Sequence, residues 1–133
     1  MLELSAEAYR RIIGHMFVGM PFEACGLIAG TDADRADVFY PTDNEARSAR
    51  VYTVPPLQHL RAERAAEDNG MTITGVVHSH THTDAYPSPT DVAAAPDPAW
   101  HYVIVSLRDE SPSLRSFQIV GGNIAEESVI LYG

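Results

Sequence analysis

"HSHTHTDAYPSPTD", residues 78–91, gathers three histidines and two aspartates directly after the apolar, β-branched run "MTITGVV". The run reads as a strand. His78 and His80 are two residues apart at its end, and period-two alternation puts both side chains on one face. Their Cα atoms then lie roughly 6.5–7 Å apart. Two imidazoles at that separation reach a single metal ion, with bonds of about 2.0–2.1 Å if the ion is zinc. Histidine titrates near 6.5, so neutral rings are available at neutral pH. A third ligand has to come from the loop. Asp91 is the nearest suitable carboxylate if residues 81–87 fold back, and Asp84 is an alternative. His82 shares the parity of His78 and His80, so spacing alone leaves open which pair binds. Two histidines and one carboxylate leave a coordination position free, which is the catalytic rather than the structural arrangement of zinc.

The end of the stretch has a second reading. In "SPTD", Ser88 is a good helix N-cap, Pro89 suits the first helical position and Asp91 completes a capping box. "DVAAA" continues this short helix towards Pro96. Such a helix would hold Asp91 in place while leaving the Ser88 hydroxyl able to turn towards a metal site.

Working outward, the chain reads as a single α+β domain over residues 1–133, with a central mixed or mostly antiparallel sheet flanked by helices. A first helix opens at Ser5, has Glu7 in its first turn and ends at Pro21. Tyr9, Ile12, Ile13, Met16, Phe17 and Met20 form its apolar stripe. "CGLIAG" is a short buried strand, "TDADRAD" a polar turn, "VFY" a strand and "PTDNEARS" a loop. Pro55 and Pro56 introduce a second helix that Gly70 closes. "HYVIVSL" and "LRSFQIV" are strands, and "GGN" turns into a last strand, "IAEESVILY".

Composition narrows the function. An apolar share of 45% supports a packed core and excludes a disordered chain. The net charge of −9 argues against nucleic acid and against an anionic membrane surface as partners. One cysteine allows no internal disulfide, so the expected compartment is cytoplasmic. No secretory leader and no membrane-spanning run are expected.

His78, His80, Ser88 and Asp91 complete the pattern H-x-H-x7-S-x2-D, and "PFEACGLIAG" places Glu23 beside an early strand. Together these resemble the signature of the JAMM (MPN-plus) zinc metalloproteases, and the similarity runs over nearly the whole chain. The resemblance implies an MPN fold, related to that of the cytidine deaminases. It also implies one Zn2+ per chain held by His78, His80 and Asp91, with His82 outside the metal shell. Glu23 would be the general base and Ser88 the group that steadies the oxyanion. "EACG", "NEARS" and "AYPS" followed by "TD" look most similar to short bacterial members that process ubiquitin-like sulfur-carrier proteins. The implied reaction is hydrolysis of a peptide or isopeptide bond after the C-terminal tail of such a carrier, releasing cysteine or a lysine-linked target. The chain lacks room for the long insertions with which eukaryotic relatives grip polyubiquitin.

Two other readings stand beside this one: a non-catalytic MPN-type scaffold, and a hydrolase of small peptide or amino-acid adducts. A nucleobase deaminase wants H-x-E with a paired P-C-x-x-C, and the single Cys25 makes that reading poor. Cys25 itself reads as a small buried strand residue. Trp100, Tyr102, Ile104 and Phe117 read as core or near-core, His15, His59 and His101 as incidental, and Thr83 and Tyr86 as candidate substrate contacts. Oligomeric state is not written in the sequence.

Overall fold

The computed structural model describes residues 1–133. Its elements are β1 (Leu2–Ser5), α1 (Ala6–Gly19), β2 (Cys25–Gly30), β3 (Arg35–Ala36), β4 (Val38–Thr42), α2 (Pro56–Asp68), β5 (Thr72–His80), α3 (Pro89–Ala93), β6 (His101–Ser106), β7 (Ser113–Val120), β8 (Asn123–Glu127) and β9 (Val129–Tyr132). The main sheet has six strands in the order β4-β2-β5-β6-β7-β8. Every neighbouring pair is antiparallel except β5 and β6, which run parallel. The fold is therefore α+β with a mixed, mostly antiparallel sheet, as expected.

The sheet is covered on both faces, and β5 and β6 are accordingly buried along almost their whole length, polar residues included. On one side Ile12 and Met16 of α1 pack on Ile28, Val77, Val103 and Val105. On the other, Ala62 of α2 packs with Leu27, Val76 and Tyr102. Alternation along β5 thus turns Val77 and Ser79 towards α1, and Val76, His78 and His80 towards the α2 side. At Gly75 the strands come so close that an added Cβ would stand 2.1 Å from the His101 carbonyl oxygen, so only glycine fits there.

The parallel pairing has a direct consequence. Parallel neighbours cannot be joined by a tight turn and need a crossover of a dozen or more residues. Residues 81–100 make that crossover, and α3 lies within it. The crossover leaves from the C-terminal end of β5, where His78 and His80 stand.

Several local expectations change. A second sheet, β3-β1-β9, is entirely parallel. The helix expected to open the chain does start at Ser5, whose Oγ accepts the Ala8 N–H at 3.0 Å, but β1 precedes it. Leu2 and Leu4 are fully buried, so the alternation in "LELS" is a strand pattern. β3 interrupts the expected polar turn, because β1 offers it a parallel edge. "IAEESVILY" breaks at Ser128 into β8, which pairs with β7, and β9, which pairs with β1. Phe17 and Met20 leave the buried stripe of α1 and are about half-exposed.

His101 is not incidental. It is fully buried, its Nδ1 lies 2.6 Å from Glu127 Oε2 and its Nε2 lies 2.9 Å from the Ala33 carbonyl. Both partners are acceptors, so both ring nitrogens donate and the ring is an imidazolium. Burial opposes that charge, but the bond to Glu127 outweighs it and raises the His101 pKa. Burial likewise favours a neutral Glu127, and its bonds to His101, to the Met1 ammonium at 2.9 Å and to the Ser116 hydroxyl hold it down at about 2. The pair's contribution is complete below the free histidine value of about 6.5 and above the free glutamate value of about 4.3. It declines as pH rises through the raised His101 pKa, and as pH falls through that of Glu127. Thermal unfolding followed from pH 5 upward is expected to show stability falling above about pH 6.5; His101→Gln flattens that fall.

Candidate metal centre

His78 and His80 stand at the end of β5 and Asp91 in the first turn of α3, and all three are buried. Their polar atoms converge. His78 Nε2 lies 3.1 Å from His80 Nε2, and Asp91 Oδ2 lies 3.2 Å from the first and 3.0 Å from the second. Donors at about 2.0–2.1 Å around a tetrahedral zinc stand roughly 3.3–3.5 Å apart, so this triangle is close to the size such an ion requires.

The surrounding contacts orient each member. His80 Nδ1 lies 2.7 Å from the Asp84 carbonyl oxygen, which can only accept, so this nitrogen carries the proton. A metal-binding histidine typically donates its second ring nitrogen in this way. His78 is stacked under Tyr52, with ring centroids 4.2 Å apart. Burial holds His78 towards its neutral form. Burial also opposes charge on His80, but its hydrogen bond to Asp91 prevails and raises its pKa. Asp91 itself resists burial and is pulled well below the usual carboxylate range by His78 and His80. With neutral rings, three acceptor lone pairs face one another. A single proton can serve one contact; a divalent cation satisfies all of them. The donor set fits a metal ion.

The helix-capping reading of "SPTD" also holds. Ser88 Oγ accepts the Asp91 N–H at 3.1 Å, and Asp91 Oδ2 accepts the Ser88 N–H at 2.9 Å. Because the serine oxygen acts there as acceptor, its own hydrogen stays available to a ligand.

Glu23, just before β2, is buried, and its Oε1 has no hydrogen-bond partner. Burial pushes its carboxyl up to about 7, with nearby His80 drawing it down and Asp91 raising it. A cation among the three converging atoms would pull it back towards its ionised form. The backbone around it is clamped. Glu23 N–H donates to the Ser48 carbonyl at 2.8 Å and its carbonyl accepts from Asn44 Nδ2 at 2.9 Å. The next residue, Ala24, donates to Ser79 Oγ and accepts from Ser79 N–H, both at 2.9 Å.

Ser79 and Asn44 are the positioning residues that sequence reading missed. Ser79 sits between the two histidines on the opposite face. Asn44 uses its whole amide: Nδ2 also donates to Val51 O at 3.0 Å, while Oδ1 accepts from Ala46 N at 3.0 Å and Thr53 N at 2.9 Å. An asparagine just past a strand, in a long loop before the next helix, was the available signal for a side chain that organises a loop.

Other candidates fall away from the cluster. The Asp84 side chain pairs with Arg108 in solvent, and His82 Nδ1 contacts Thr81 Oγ1 at 2.7 Å. Burial pushes the Cys25 thiol up to about 11, which makes a nucleophilic thiolate unavailable. His15 bonds the carbonyls of Cys25 and Thr42 and so braces β2 against β4. Tyr86 packs edge-on against Phe117, whereas Thr83 faces a cleft of about 660 Å³. Glu23, His80 and Ser88 line the same cleft, together with Ala49, Arg50, Thr81 and His82.

The sheet order, the crossover and the His-His-Asp triangle define a domain of the JAB/MPN type. The chain belongs to the prokaryotic homologs of the JAB domain, whose sequence model matches residues 5–120. It is 40% identical over 131 residues to the CysO-cysteine peptidase of Mycobacterium tuberculosis, spanning 97% of this chain and 90% of that one. A protein from Desulfitobacterium hafniense, solved in solution, is similar with a TM-score of 0.91 and 33% identity over 99% of this chain and 93% of its own. A JAMM structure described as a metalloprotease-like zinc site in the proteasome and signalosome shares the fold at a TM-score of 0.63 and 18% identity, over 100% of this chain and 99% of that chain.

Asn44→Ala strips partners from the carbonyls of Glu23 and Val51 at once. It is expected to lower stability by about 1–3 kcal/mol, measured by urea unfolding.

Proposed function

We propose that this chain is a zinc-dependent peptidase that hydrolyses the amide joining the C-terminal tail of a ubiquitin-like sulfur-carrier protein to cysteine. The observation that carries the reading is the convergence of His78, His80 and Asp91 beside a buried, unpartnered glutamate in an open cleft. The kinship with CysO-cysteine peptidase supports the substrate class.

His78, His80 and Asp91 would hold one ion. Two nitrogens and one carboxylate oxygen suit zinc, and three protein donors are the number found in catalytic zinc sites. A bound zinc supplies Lewis acidity, which polarises a carbonyl and lowers the pKa of water from 15.7 towards about 7.

The remaining work belongs to the chain's own residues. Glu23, ionised, accepts a proton from the attacking water. Its clamped backbone holds the carboxylate at the cleft wall without a competing partner. The new bond joins water oxygen to the scissile carbonyl carbon, and the Ser88 hydroxyl donates to the developing oxyanion. The carbon–nitrogen bond then breaks, and Glu23 returns its proton to the departing amine. The products are a free carboxylate on the carrier tail and free cysteine.

The extended carrier tail can enter as an added strand. β4 is the sheet edge nearest to Glu23, and it leads into the Asn44 loop that clamps it.

Incubating the zinc-loaded protein with a carrier–cysteine adduct is expected to give a mass loss of one cysteine residue, abolished by chelator and restored by zinc. Glu23→Gln should retain zinc in elemental analysis and lose at least about 100-fold in kcat. Asp91→Ala should release the metal; full zinc occupancy in that variant would remove Asp91 from the ligand set.

A further inference from the structure

The cleft beside Ser88 contains a group that the hydrolysis just described does not use. Arg50 is its only permanently charged cation, in a chain whose net charge is −9. Its guanidinium makes no ion pair with a carboxylate of the chain, a state it shares with Arg10, Arg11, Arg47, Arg61 and Arg64, so its place in this cleft is what sets it apart. We propose that Arg50 is a specificity-determining residue that binds the free α-carboxylate of the departing amino acid. This inference rests on the peptidase reading above and deepens it.

Placement supports the assignment. In a C-terminal amino acid the carboxylate is separated from the amide nitrogen by a single carbon. A cation that reads the carboxylate must therefore face the same cleft as the group that protonates that nitrogen. Arg50 and Glu23 line one cleft. They also share one frame. Ser48 O accepts the Glu23 N–H, Ser48 Oγ accepts the Arg50 N–H at 3.0 Å, and Asn44 Nδ2 holds the carbonyls of both Glu23 and Val51. The loop that fixes the base thus also fixes the backbone that presents the guanidinium.

The chemistry of the walls points the same way. Thr81, Thr83 and His82 add polar groups, and Ala49 is the one hydrophobic residue lining the cleft. A lysine side chain leaving from an isopeptide bond has no carboxylate next to its nitrogen. The cleft therefore offers a leaving amino acid with a free carboxylate a planar guanidinium, which grips such a group with two parallel hydrogen bonds.

The test uses the zinc-loaded full chain and two substrates: a sulfur-carrier protein joined through its terminal carbonyl to cysteine, and the same carrier joined to cysteinamide. Cleavage is read by intact mass as kcat/KM. Wild type should prefer the acid over the amide by roughly 10- to 100-fold. Arg50→Ala should bring that ratio close to one while keeping its zinc content and melting temperature, and Arg50→Lys should keep part of the preference. Calorimetry on the Glu23→Gln background supplies a second readout: adding Arg50→Ala should weaken binding of the carrier–cysteine adduct by a similar factor. Equal rates for acid and amide in wild type, or an unchanged ratio in Arg50→Ala, would overturn the role of Arg50 and leave the peptidase standing. Failure to cleave either adduct would remove the peptidase reading, and this inference with it.

Discussion

Strand β5 lies beside β6 in the same direction, and much of the molecule follows from that one pairing. A parallel neighbour cannot be reached by a hairpin, so the chain must leave the sheet and return to its opposite end. The excursion starts where His78 and His80 emerge, and its short helix brings Asp91 back over them. The closeness of the two strands at Gly75 keeps the register that aligns His78 with Ile104 and His80 with Ser106. The triangle of donor atoms is thus set by backbone hydrogen bonding, with side-chain choice completing it.

Around that triangle the protein places charges that conflict without an ion. Asp91 is buried with two imidazoles, and Glu23 is buried with an oxygen that nothing satisfies. Buried polar groups without partners are costly. Here the cost falls where a cation would relieve it. The rigid parts of the site are backbone: Ser79, Ser48 and Asn44 hold the segment carrying Glu23, so the carboxylate is positioned without being neutralised by a donor of its own.

The sequence disclosed the central features for physical reasons. Period two placed His78 and His80 on one face, and capping chemistry in "SPTD" placed Asp91 at a helix start. Spacing left Asp84 and His82 as rivals, since a loop's path is not encoded by parity. The resemblance to the metalloprotease family named the triad that the structure assembles, and the structure turns the rival side chains elsewhere. β1 was legible in the alternation of Leu2 and Leu4. β3 was not, because two residues carry no periodicity and pair only when β1 is beside them. His101 and Glu127 are far apart in sequence, and only the sheet order brings them together. Asn44 gave a weak signal, since loop asparagines are common and the contact that matters most, with the Glu23 carbonyl, comes from far away in the sequence.

Asp91 Oδ2 meets the Ser88 N–H and both imidazoles at a single oxygen. That atom is a hinge pin shared by architecture and chemistry. An alanine in its place would lose the bond that closes the turn, and an asparagine would hold the turn yet bring an uncharged dipole to the histidines; a glutamate can also close such a turn, but with its carboxylate one methylene further out. Drift at this position is therefore narrowed from two independent directions.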